Sequence, residues 1–269
     1  MAFTAMPPAA PLADLVETLW DWDVPAPAFA LERMLPSARG QLVINLAEDE
    51  TRSYDDALRC RRHAAATLDA PSHRSFLIDT AEQVRVVGVV FRPGGAAPCF
   101  GERMDSVANT HVDLDALAGD AAGALRQHLL EAPGAHARLR LLHDWLLRRM
   151  RATRRHPAVA HALALLDASP DVQRIGAVAA HCRLSPRRFG QIFREQVGMS
   201  PKRYARLQRF HAVVTQVHGA AAVDWAAVAA DAGFHDQPHL AHEFRAFSGM
   251  TPGAYLAARG AWPGHVPLP

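Results

Sequence analysis

The chain has 269 residues, with 49% hydrophobic and 21% charged residues. That length suits two domains, and the composition supplies ordinary cores and excludes a wholly disordered chain. The formal net charge is +2, and no apolar run approaches the ~18 to 20 residues that cross a bilayer, so no membrane role is expected. Three cysteines, Cys60, Cys99 and Cys182, lie far apart with no CxxC pair, which disfavours a disulfide framework or a cysteine zinc knuckle. The first residues have no basic run and carry Asp14 and Glu17, unlike a secretory signal. A reducing cytoplasm is the expected compartment.

Residues 1–110 read as β-rich. The segments QLVINLAED (41–49) and VRVVGVVF (84–91) are rich in β-branched residues, and FLID (76–79) is a weaker strand. Turn-like PSARG precedes the first, and Arg92-Pro93-Gly94-Gly95 follows the second, where a missing donor and paired glycines break a ladder. Several short strands in this length predict a small barrel or sandwich. Trp20, Trp22, Phe29, Met34 and Phe91 could line an effector pocket there, with Arg85 or Arg92 to meet an anion. Core packing is the more frequent fate of such residues. His63 and His73 with Cys60 or Cys99 show no metal-ligand spacing.

Residues 111–151 switch to helical period. Leu114, Leu117, Ala118, Ala121, Leu125 and Leu129 form one stripe. After Pro133-Gly134, Leu139, Leu142, Leu146 and Met150 form a second, widened by Leu141, Trp145 and Leu147. Stripes this wide pack on the first domain or serve dimerisation. Residues 153–260 read as helical throughout, and the Pro/Gly-rich 261–269 as a flexible tail. Charge divides along the same line: residues 154–269 hold 13 Lys+Arg against 7 Asp+Glu, whereas residues 1–153 hold 16 Arg against 20 Asp+Glu. A basic C-terminal half suggests a polyanion partner. The fold class expected is α+β, a β-rich domain with linker helices followed by an all-α domain.

The basic half repeats itself. VAAHCRL (178–184) lies over VAADAGF (228–234) at an offset of 50. With one residue added at the turn, Phe193-Arg194 matches Phe244-Arg245, Gly198 matches Gly249, Ser200-Pro201 matches Thr251-Pro252 and Tyr204 matches Tyr255. Two copies of one supersecondary unit explain this better than chance. Each unit reads short helix, tight turn, capped second helix, which is the helix-turn-helix pattern. On a 100° wheel, Phe189, Ile192 and Phe193 cluster inward, and Arg187, Gln191 and Arg194 fall opposite, with Arg188 on the flank. In the second unit Leu240, Phe244 and Phe247 face inward. His242 and Arg245 face outward, with Gln237 and His239 near the helix start. Arg and Gln carry the donors and acceptors that read guanine and adenine edges. A solvated face explains one such helix, but not two copies of the same constellation.

These residues resemble the DNA-binding domain of the AraC/XylS family of bacterial transcription regulators over residues 160–259, through VAAHCRLSPRRFGQIFREQVGMSPKRY and VAADAGFHDQPHLAHEFRAFSGMTPGAY. The resemblance implies two helix-turn-helix units joined by a long helix, roughly 200–217. Each second helix would enter a major groove, the two segments lying about one turn, ~34 Å, apart. By matched position Arg187, Arg188 and Gln191 would face bases in one groove, and Gln237, His239 and His242 in the other. Lys202, Arg203, Arg206 and Arg209 would reach phosphates. Pro238 and two histidines depart from a strong reader. Residues 1–151 resemble the sensor half of one subgroup of these regulators, through GQLVINLAED and VVGVVFRPGG, with an effector or a homodimer as the implied partner. A double-stranded DNA operator is the main partner expected, with RNA polymerase a further one.

Other chemistries fare worse. His235, His239 and His242 have a spacing that suits a metal, but His235 falls in the turn before the Asp236 cap, and no metal is expected. No nucleophile elbow, P-loop, dinucleotide fingerprint or HExxH is present, so no enzyme activity and no cofactor is expected. The alternative is a small-molecule-binding or enzymatic N-terminal module with DNA binding secondary.

Overall fold

The computed structural model describes residues 2–150, 155–168 and 173–268. The boundary expected at 151–153 falls outside them. In chain order the N-terminal half forms β1 (Ala2–Met6), a 3-10 turn (Leu12–Asp14), β2 (Val16–Asp23), β3 (Leu31–Met34), β4 (Gln41–Asn45), β5 (Glu50–Tyr54) and β6 (Cys60–Ala64). There follow β7 (Ala66–Asp69), β8 (Phe76–Asp79), β9 (Arg85–Phe91), α1 (Ala97–Phe100), α2 (Met104–Val107), β10 (His111–Asp113), α3 (Leu114–Ala118), α4 (Asp120–Glu131) and α5 (Ala135–Arg149). The C-terminal half adds α6 (Pro157–Ala168), α7 (Gln173–His181), α8 (Pro186–Val197), α9 (Pro201–His218), α10 (Trp225–Asp231), α11 (Gln237–Ser248), α12 (Pro252–Ala258) and β11 (His265–Leu268).

The strands make two antiparallel sheets, ordered β1-β2-β9-β4-β7-β10 and β11-β3-β8-β5-β6. The β-rich reading of residues 1–110 and the helical reading of the C-terminal half both stand in this architecture. Period 2 sorts the first sheet. Leu19, Leu42, Ile44, Leu68, Val87, Val89 and Phe91 face a helical layer and pack with Phe100, Leu125, Leu129, Leu142, Trp145 and Leu146. The buried leucines of the 114–150 stripes are therefore packed on their own sheet, as the first of the two expected roles requires. The expected first helix is divided at Gly119 into α3 and α4. One buried ion pair pins the layer: Arg138 on α5 donates to both oxygens of Asp21 on β2, at 2.6 and 3.0 Å.

The opposite face of the first sheet looks at the second sheet. Gly88 sits there by necessity, because a Cβ would meet the Trp20 ring at 2.4 Å and the Leu42 carbonyl oxygen at 2.6 Å. Across this space His111 on β10 meets Phe76 on β8 at 4.5 Å between centroids, and His63 on β6 at 5.0 Å.

Within the expected flexible tail, 261–269, the described residues 261–268 behave differently. His265–Leu268 add to the edge of the second sheet, pairing antiparallel with β3. Alternation explains it: Val266 is buried between its neighbours, and it joins the core formed by the C-terminal helices together with Leu35 and Ala38 of the first half.

Candidate nucleic-acid interface

The two repeated units have the same backbone logic. α7 ends with Cys182 N–H on the Val178 carbonyl at 3.0 Å and Leu184 N–H on the Ala179 carbonyl at 2.9 Å. α10 ends with Ala232 on Val228 at 3.0 Å and Phe234 on Ala229 at 2.8 Å. The turn residue has positive φ in both, +54° at Arg183 and +74° at Gly233. The second helix then starts on a side-chain cap. Ser185 Oγ accepts from Arg188 N–H at 3.2 Å, and Asp236 Oδ1 accepts from His239 N–H at 2.7 Å. The helices after them repeat the device: Ser200 caps α9 and Thr251 caps α12. Each cap takes up one N-terminal N–H, and the exposed helix starts beside it are the kind of place that meets phosphate.

Burial divides α8 and α11 as the wheel predicted. Phe189, Ile192 and Phe193 are buried, as are Leu240, Phe244 and Phe247. Arg187, Arg188 and Arg194 are exposed on α8, and Gln237, His242 and Arg245 on α11. Lys202 and Arg203 are exposed on α9. Three side chains are less free. The Gln191 amide donates to Glu195 Oε1 at 2.8 Å. The His239 ring accepts from His235 N–H at 3.3 Å and stands edge-on to Phe234. Arg206, a phosphate candidate, instead makes a two-pronged pair with buried Glu243, at 2.6 and 2.8 Å. Burial alone would raise the Glu243 carboxyl, but the Arg206 guanidinium holds it below its usual value. Arg206 therefore ties α9 to α11. Arg209 lies over the Phe234 ring at 5.7 Å.

The effector candidates separate by strand parity. Trp20 and Trp22 share the inner face of the first sheet with Gly88. Met34 shares the inner face of the second with Phe76. Arg85 and Phe91 fall on the opposite side of β9. Phe91 is sealed in the helical core against Phe100 at 5.9 Å, so it packs and lines no pocket. Arg92 is exposed and donates to the Ala13 carbonyl.

Sequence reading missed the polar end of the inner face. His111 Nδ1 lies 2.7 Å from Asp69 Oδ1, and His63 Nε2 lies 2.9 Å from Ser53 Oγ. Burial pushes both imidazoles down, and it prevails at His63. At His111 the Asp69 carboxylate overrides it and raises the ring above its ordinary value. The three-residue β10 that carries His111 offers too short a pattern to read.

The C-terminal half thus folds as a paired helix-turn-helix with its polar faces outward, and that defines the class: a DNA-binding transcription regulator. Residues 178–258 match the family model described as a helix-turn-helix domain, and this domain is of the AraC type. Residues 4–113 match the model described as a domain of unknown function, DUF6597. Among solved structures, the chain is similar to ToxT from Vibrio cholerae, with 8% identity over 96% of this chain and 98% of that one, TM-score 0.44. It is also similar to an unsaturated-fatty-acid-bound ToxT from the same organism, with 10% identity over 94% of each chain, TM-score 0.43. A third is the DNA-binding domain of AdpA in complex with a target DNA, with 26% identity over 38% of this chain and 93% of that one, TM-score 0.34. No curated protein matches the chain in sequence. No helix among the described residues is long and apolar enough to cross a membrane.

Proposed function

We propose that the chain binds duplex DNA sequence-specifically, placing α8 and α11 in two successive major-groove segments and answering to an effector held by the N-terminal half. The observation that carries the DNA reading is the duplicated, capped helix-turn-helix with matching outward polar residues. Arg187, Arg188 and Gln191 read bases in one groove, and Gln237, His239 and His242 in the other. Arg194, Lys202, Arg203, Arg245 and the capped helix starts contact phosphate and set the register. Exposed guanidinium groups on α8 favour guanine edges, whereas the imidazoles of α11 give that unit the weaker voice.

For the effector, the support is the chemistry of the inner sheet faces, which carry aromatic Trp20 and Trp22 on β2 and, around β10, Phe76 with the His63, His111 and Asp69 hydrogen-bonding groups. A homodimer, a contact to RNA polymerase, cytoplasmic residence and the absence of catalysis rest on the class alone.

Selection from a pool of random duplexes at two salt concentrations tests the DNA reading. The expected result is an enriched site with two blocks about one helical turn apart. Salt-sensitive binding with no enriched site would reduce the basic half to a polyanion surface.

A further inference from the structure

The last strand of the chain leaves the DNA-binding half and joins the other one. β11 pairs with β3 along four residues, His265 to Leu268 against Met34 to Leu31. Trp262, just before it, meets Phe3 at 5.6 Å and Trp22 at 6.5 Å between centroids. His265 Nδ1 lies 3.0 Å from Glu32 Oε2. Val266, at 2% exposure, is packed in the same core as Leu35, Ala38 and the C-terminal helices.

The sensor half also packs directly on the first reading unit, through α2 against α8. Arg103, beside α2, lies 3.3 Å from Glu195, the residue that already holds the Gln191 amide. Asp105 on α2 is held below its ordinary value by Arg103 first and by Arg194 of α8 in addition. Arg203 Nη1 lies 3.2 Å from the His73 ring. The sensor thus engages, directly or through one intermediary, a base-reading amide and two cationic side chains that DNA would use. It also sets the Asp105 carboxylate near Arg194, where it opposes an incoming phosphate.

We propose that residues 261–268 are a strap that holds the sensor against the first reading unit and lowers DNA affinity, so that freeing the strap frees α8. This rests on the DNA-binding reading above. A strap of this kind couples the two halves thermodynamically, since a ligand that favours the strapped form weakens DNA binding by the factor by which DNA weakens that ligand.

The test uses the full chain and the duplex recovered by selection. Three forms are compared with the unaltered protein: a truncation ending at Gly260, Trp262→Ala, and a Met34→Cys/His265→Cys pair, directly opposed in the β3–β11 register. The cysteine pair is built with Cys60→Ser to remove an exposed thiol. The truncation and Trp262→Ala should bind more tightly, between about 5- and 150-fold for the truncation, with the same base preference. The oxidised cysteine pair should bind more weakly than its reduced form. Equal or weaker binding by a folded truncation overturns the proposal. If the truncation does not fold, the cysteine pair decides: equal binding in both redox states overturns the strap, and weaker binding when oxidised supports it. Loss of sequence-specific binding in every form, the unaltered protein included, would instead remove the DNA reading itself.

Discussion

The two helix-turn-helix units share a backbone and differ in cargo. Both end the first helix with the same pair of carbonyl contacts, turn on one positive-φ residue and restart on a side-chain cap. On that common frame α8 carries three exposed arginines, whereas α11 carries Gln237, Pro238, His242 and one arginine. The surroundings differ too, since the sensor packs against α8 through α2 and Gly198 approaches the Met104 carbonyl. Inward residues are therefore set by the shared fold, while outward ones are free to differ between the units. The strongest way to break the comparison is through the shared core. Phe193 and Phe244 occupy matching positions, at 0% and 1% exposure. Either one changed to Ala should cost about 3 to 5 kcal/mol. Urea unfolding should still show one transition for the DNA-binding half, because both rings belong to one continuous cluster. A separate early transition confined to one unit would show that the two fold independently.

The cargo gives the next largest effect. Arg187→Ala or Gln191→Ala should each cost about 1 to 3 kcal/mol on the selected duplex and relax preference in one block only. Gln237→Ala and His242→Ala should cost less and relax the other block. Loss spread evenly over all sequences would assign the α8 residues to phosphate. Reversal, with α11 dominant, would mean that the sensor's hold on α8 persists on DNA.

Much of this half was legible because a repeat supplies its own control. One Ser-Pro or one Arg-rich helix face is ambiguous, but the pairing of Ser200-Pro201 with Thr251-Pro252 and of Tyr204 with Tyr255 fixes the register of both units. The sensor has no such duplicate. Its strands QLVIN and VRVVGVVF were readable from β-branched runs, yet the short β6, β7 and β10 were not, and with them went His63, His111 and Asp69 as neighbours. Phe91 and Trp20 looked alike as aromatic residues near strands. Only strand parity, which requires the pairing partner, sends one to the helical core and the other to the inner face. The tail misled for a different reason. Pro and Gly dominate AWPGHVPLP, but pairing at a sheet edge tolerates proline, and Val266 had a core to enter.

Acid should separate the halves in a way that sequence could not indicate. Burial, with Arg203 and Arg74 nearby, pushes His73 down to about 4, and burial with Arg39 pushes His211 down to about 4 against an ordinary value of 6.5. Both lie where the halves meet, His73 on Arg203 and His211 against the Pro36 carbonyl. A histidine lowered on folding opposes the fold once it must be charged, so stability should fall as pH drops from 6.5 towards 4. His111 has the opposite sign. Raised by Asp69, it adds stability that is complete below its ordinary 6.5 and fades as pH rises through its folded value, so it supplies none of the acid slope. Thermal melts across this window should flatten in His73→Gln and His211→Gln. An unchanged slope in both would place the acid sensitivity elsewhere.

The smallest effect isolates the turn itself. Arg183 adopts φ +54° where the second unit has Gly233 at +74°. An L-residue in this region crowds its Cβ against the following carbonyl, and glycine escapes that at the cost of more freedom in the unfolded chain. Arg183 is exposed, so removing its side chain loses little packing. Arg183→Gly should therefore stabilise by about 0.5 to 1 kcal/mol, and Gly233→Arg should destabilise by about 1 kcal/mol. A Cβ at position 233 would come no closer than 3.6 Å to Arg209 Cδ, which makes backbone conformation, rather than crowding, the source of that loss. The urea midpoints of the two variants should thus move in opposite directions with unchanged slopes. If both move down, Arg183 is held by a contact with no counterpart in the second unit. The turn, and not only the reading face, would then distinguish the two copies.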